Sequence, residues 1–70
     1  MPPDLERYAM FRERSGGSPE YVGSENDLEK AGRKVRELAN LDGTAYFVYD
    51  FRLGITVVLI PSKVHKPPRI

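Results

Sequence analysis

The chain has 70 residues and a mass of 8.0 kDa, a length that allows one small domain. Its net charge is +1, and 30% charged with 40% hydrophobic residues is a balance that excludes a disordered or membrane-spanning chain. It has no Cys and one His, which excludes disulfide bonds and thiolate metal sites.

Both ends of the sequence predict extended tails around one folded unit. Proline pairs at 2–3 and 67–68 favour extended backbone, so we expect tails over 1–6 and 61–70 and a single domain at 7–60. The C-terminal tail is basic, and its prolines and three cations stand outside the predicted fold. The first residues carry no basic start and no apolar run, which predicts a cytoplasmic protein without an export signal.

The first third of the domain predicts a β-hairpin. Residues 7–12 are aromatic and apolar without a breaker, as is typical of a strand, and residues 20–22 favour a short second strand. The segment 15–19 between them consists of Ser, Gly and Pro and predicts a flexible connection.

A helix is predicted next. Ser24 or Asn26 is the expected N-cap, because an acidic residue follows each of them three positions later. At the other end, Gly43 or Asn40 is expected to take a left-handed cap conformation. Gly32 lies on the apolar side, which we interpret as a place where the helix approaches a sheet closely. The apolar stripe, at spacings of three and four, is Leu28, Ala31, Val35 and Leu38.

Two further strands complete the domain. Residues 44–49 are aromatic and β-branched, residues 55–60 are apolar throughout, and Gly54 suits the turn between them. The order ββαββ predicts an α+β fold, a two-layer sandwich of a four-stranded, mostly antiparallel sheet with the helix on one face. Strand order 2-1-3-4 is expected; order 1-2-3-4, with strands 2 and 3 parallel, is the alternative.

One helix covers one face of such a sheet, so the other face needs an explanation. Placing Asp50 on the open side assigns the alternate residues of each strand to the helix side. The residues expected beneath the helix are Ala9, Phe11, Ala45, Phe47, Tyr49, Ile55, Val57 and Leu59. The residues expected on the open face are Tyr8, Met10, Tyr46, Val48, Thr56 and Val58.

The predicted open face is apolar, which favours a contact surface over a solvated one. We therefore expect a homodimer, or another protein partner, at this face; a tail folded over it is the alternative. The corresponding function is a small non-catalytic interaction or regulatory module that self-associates.

A nucleic-acid-binding module is the second hypothesis, because helix cations and the basic tail offer phosphate contacts beside an exposed Tyr46. On the helix, however, these cations alternate with acidic residues, a pattern that is also typical of a solvated face. The candidate contacts are Lys30, Arg33, Lys34, Lys63, Lys66 and Arg69.

The segment 43–49 resembles the central motif of the RNA-recognition motif family over seven residues. It differs from that motif at Asp42, where the family has a basic residue, and at Thr44, where it has a stacking aromatic. The family's order of strands and helices also differs from ββαββ. Tyr46 alone matches a position where the resemblance implies base stacking.

Catalytic groups are scarce. His65 stands in the tail without an orienting partner, and the carboxylates Asp4, Asp42 and Asp50 are scattered along the chain. The loop at 15–18 does not lead into a helix and so does not predict a phosphate cradle. We predict no enzymatic activity, no metal and no cofactor.

Overall fold

A computed structural model of the chain describes residues 7–62. Residues 1–6 and 63–70 of the predicted tails, including Lys63, His65, Lys66 and Arg69, lie outside this range. The elements are β1 (Tyr8–Arg12), β2 (Glu20–Glu25), α1 (Leu28–Asp42), β3 (Tyr46–Asp50) and β4 (Ile55–Ile60).

The four strands form one antiparallel sheet in the order β2-β1-β3-β4, with α1 packed on one face. The predicted α+β class and the expected strand order are confirmed. β1 lies in the middle of the sheet, where Met10 is opposite Gly23 on one side and Val48 on the other. A Cβ on Gly23 would lie 3.1 Å from Cε of Met10, so the glycine leaves room for that core side chain.

The start of α1 differs from the prediction. The N-cap is Asp27, whose side chain accepts a hydrogen bond from the backbone N–H of Glu29 at 3.2 Å. Ser24 does not cap the helix because β2 continues to Glu25, which is paired with Tyr8. Pairing with β1 therefore extends the strand beyond its predicted end and delays the helix.

The helix ends as predicted, at Gly43 in the left-handed conformation with φ 72°, and its N–H donates to the carbonyl of Ala39 at 2.7 Å. The interpretation of Gly32 is wrong: a Cβ there would meet nothing within 4 Å. The small residues at the sheet contact are instead Ala31 and Ala39, both fully buried.

The assignment of the two sheet faces is also wrong. Five of the six residues predicted on the open face lie on the helix side, and the sixth, Thr56, is exposed opposite Tyr49. Thr56 lies on the face away from α1 because Val57 is an extra residue in β4. This bulge shifts the alternation of side chains along the strand. The buried core consists of Tyr8, Met10, Ala31, Val35, Ala39, Tyr46 and Val48, with Leu38, Val57, Val58 and Ile60 packed against it.

The two faces were exchanged in the prediction because of Asp50. Its charge predicted a position on the open face, but the residue is 1% exposed and lies on the helix side together with Tyr8, its partner on β1. The guanidinium of Arg7 meets its carboxylate through two hydrogen bonds of 2.9 and 2.8 Å. A buried carboxylate is tolerated when a cation and hydrogen-bond donors surround it.

Candidate interaction surface

Five of the seven aromatic residues lie on the sheet face away from α1 or join it from the adjoining turn. With one leucine they form a surface that we call the aromatic face. It consists of Phe11, Tyr21, Phe47, Tyr49, Phe51 and Leu59.

The strand register lines these side chains up across the sheet. Phe11 is opposite Tyr21 on β2 and Phe47 on β3, and Phe47 is opposite Leu59 on β4. One apolar row therefore crosses all four strands, since directly opposite residues in a sheet share a face.

The rings on this face contact one another. Phe11 and Phe47 are stacked with centroids 5.1 Å apart, and Tyr21 meets Phe11 edge-on at 5.8 Å. Phe51, in the turn after β3, meets Tyr49 edge-on at 5.4 Å and extends the face beyond the strand. Such offset and edge-to-face pairs stabilise the arrangement of the rings before any partner is bound.

The outer members of the aromatic face are open to solvent. Leu59, Tyr21 and Phe51 are 63%, 58% and 53% exposed, whereas Phe11 and Phe47 are half-buried. Contiguous exposed apolar surface on a small protein usually serves contact with another molecule.

The charged residues of the strands lie on the opposite side. Arg12 and Glu20 face each other next to Tyr46, and Glu25 and Asp50 both flank Tyr8. No other residue of the four strands is charged, so within residues 7–62 the strand positions of the aromatic face carry no charge.

These charges pair on the helix side and secure the two layers. Arg12 bridges Glu20 at 2.7 Å and Asp42 of α1 at 3.4 Å, and Lys34 of α1 pairs with Glu25. They act within the fold, on the side of the sheet opposite the aromatic face.

Two carboxyl groups on this side are stabilised in their charged form. The hydrogen bond from Tyr46 lowers the pKa of Asp42, and the hydrogen bond from Arg7 lowers the pKa of Asp50. Burial, and then the hydrogen bond to Asp42, raise the pKa of Tyr46. All three groups have hydrogen-bond partners within the fold.

The structure does not bring the predicted nucleic-acid contacts together with an exposed Tyr46. That residue is 3% exposed, and its hydroxyl donates to Asp42 at 2.7 Å, so it is not available to stack on a base. Lys30, Arg33 and Lys34 belong to α1, on the layer opposite the aromatic face.

The described part of the chain, residues 7–62, holds no cluster of three or more potential metal ligands. Over the same residues, no helix is both long and apolar enough to cross a membrane. Comparison of the chain with protein-family models, with curated proteins and with solved structures finds no match.

The sequence prediction anticipated an uncovered apolar face and missed its residues. The residues of the aromatic face can be identified because the charged strand residues all lie on the opposite side of the sheet. This common side becomes visible only from the register of β1 against β2 and β3, which cannot be derived from the sequence.

Proposed function

We propose that this chain is a non-catalytic interaction module that self-associates through the aromatic face, with a second copy as its partner. The observation that carries the proposal is the separation of charge: every charged strand residue lies on the helix side, and an uncharged row of rings crosses the other. The largest apolar patch on a small protein often serves contact with another molecule.

A second copy fits this face because the face is complementary to itself. In a two-fold contact the same residues meet from both sides, and here no like charges are brought together. Two sheets pack face to face about 10 Å apart with interdigitating side chains. The stacked pair of Phe11 and Phe47 lies on the two inner strands, where such a contact is most completely desolvated.

Single-stranded nucleic acid suits the face less well. Proteins that bind it combine stacking rings with cations that follow the phosphate backbone. The aromatic face supplies the rings, but its strand positions supply no cation.

The test compares the substitution Phe47→Glu with a matched control, Leu41→Glu. Leu41 is also apolar and is 82% exposed, but it lies in the last turn of α1. Molar mass is measured by light scattering over a concentration series. The wild type and Leu41→Glu should associate equally, and Phe47→Glu should at least halve the mass while keeping the circular dichroism spectrum.

A wild type that is one copy at every concentration would overturn the proposal. So would a Phe47→Glu protein with the mass of the wild type. If the protein is a monomer, it is then titrated with mixed-sequence single-stranded RNA at about 50 mM salt. Quenching of tyrosine fluorescence, with binding that weakens steeply as the salt concentration rises, would identify a nucleic-acid-binding module instead.

A further inference from the structure

We infer that the outer edge of β4 is a second self-association site, at which the β4 strand of another copy pairs antiparallel. This inference rests on the proposed function, because the paired strands would join two aromatic faces into one surface. Both contacts together build an assembly of four copies.

β4 has the composition of a strand that accepts another strand. Its six residues are Ile, Thr, Val, Val, Leu and Ile, without a charge, proline or glycine. Among residues 7–62, β4 has a neighbouring strand on one side only. Ile55 and Leu59 are 52% and 63% exposed. A β-branched, uncharged segment on an open edge is the usual template for strand addition.

The other edge of the sheet is protected. β2 begins and ends with Glu20 and Glu25, and it contains a bulge beside Gly23. Antiparallel pairing of two β2 strands would place these glutamates opposite each other, at a cost in like-charge repulsion. β4 also has a bulge, at Val57, but antiparallel pairing with itself sets Ile55 against the second copy's Ile60 and opposes no charges.

Antiparallel pairing also keeps like faces on the same side. The symmetry axis that relates two antiparallel neighbours in one sheet is perpendicular to the sheet. The result is eight strands with both helices on one side and both aromatic faces on the other. Leu59, at the exposed end of the aromatic row, would lie beside the seam between the copies.

The area of a stable interface favours this arrangement. Four strands about 4.8 Å apart and about five residues long present roughly 19 by 17 Å, or about 320 Å² in projection. About twice this area, with side-chain relief included, lies at the lower end of the roughly 600 to 1,000 Å² that each partner of a standard interface buries, so one pair of aromatic faces forms a weak dimer. Joining two sheets at β4 doubles the surface and strengthens the contact.

The experiment measures molar mass for the wild type, Phe47→Glu, Ile55→Lys and the double variant. Ile55 lies on the helix side of β4, so a lysine there adds charge to the edge and leaves the aromatic face unchanged. Leu53→Lys is the matched control: Leu53 is 60% exposed in the turn, outside the strand. Circular dichroism establishes that each variant is folded.

The expected masses are four copies for the wild type and Leu53→Lys, two for each of Phe47→Glu and Ile55→Lys, and one for the double variant. A Phe47→Glu protein of one copy from a wild type of two would overturn pairing at β4 and leave the proposed function standing. An Ile55→Lys protein with the wild-type mass would also overturn it. A mass that changes with Ile55→Lys and not with Phe47→Glu would overturn the aromatic-face contact instead.

Discussion

Arg7 and Asp50 are 43 residues apart in the sequence and form a two-point ion pair, with Nε–Oδ1 and Nη2–Oδ2 distances of 2.9 and 2.8 Å. The same carboxylate accepts the backbone N–H of Arg52 at 2.8 Å and that of Leu53 at 3.3 Å. The N–H of Phe51 in turn donates to the carbonyl of Arg7 at 3.1 Å. The turn after β3 is thereby fixed against the start of β1.

This pair predicts a loss of stability in acid. The pKa of Asp50 is lowered from its ordinary value of 3.8, mainly by the hydrogen bond from Arg7. The stabilisation is therefore complete above that ordinary value and is lost as the pH falls through the lower folded-state pKa. Urea unfolding at a series of pH values from neutral to acid should show that the free energy of unfolding falls. Asp50→Asn should be less stable than the wild type at neutral pH, and its free energy of unfolding should depend less on pH. An unchanged acid profile in Asp50→Asn would contradict this role.

Val48 and Phe47 are neighbours on β3 whose substitutions should have opposite consequences. Val48 is fully buried beneath α1, so Val48→Glu places an unpaired charge in the core at a cost of about 3 kcal/mol or more. That is a large part of the stability of a small domain, and circular dichroism should report an unfolded chain. Phe47→Glu should keep the native spectrum. Two folded variants would show that the faces are assigned incorrectly.

Gly32 and Gly43 make a second contrasting pair. Gly32→Ala should raise the free energy of unfolding by about 0.5 to 1 kcal/mol, because its Cβ meets open space and alanine favours the helix. Gly43→Ala should lower it by about 1 to 2 kcal/mol, because the residue is left-handed at φ 72°. Urea midpoints of both variants test the prediction. A destabilising Gly32→Ala would mean that another molecule or segment packs on that part of α1.

The buried phenol of Tyr46 predicts a loss of stability at high pH. Burial, followed by the hydrogen bond to Asp42, raises its pKa above the ordinary 10.0, so folding stabilises the protonated phenol. This contribution is present below pH 10.0 and is lost as the pH rises through the folded-state pKa. Tyr46→Phe should lose about 1 kcal/mol at neutral pH with the missing hydrogen bond. As the pH rises above 10.0, its free energy of unfolding should also fall less than that of the wild type. Urea unfolding curves at high pH measure this difference.

The sequence alone determined the elements and their order. Turn residues, the 3.6-residue stripe of α1 and the unbroken strands placed each segment within a few positions, because these signals depend on neighbours along the chain. The cap at Gly43 and the turn at Gly54 followed from the same local chemistry. The end of β2 was missed, because strand length depends on pairing with β1.

Only the tertiary structure decided which face of the sheet α1 covers. In β3 and β4 both alternating sets of residues are mostly apolar, so hydrophobicity does not choose between them. Asp50 was the one charge in these strands, and its position depends on Arg7, which the fold brings to it from 43 residues away. A carboxylate is buried or exposed according to its partner, and no local pattern records where that partner will be. The residues of the aromatic face are therefore known only once these long-range contacts and the strand register are known.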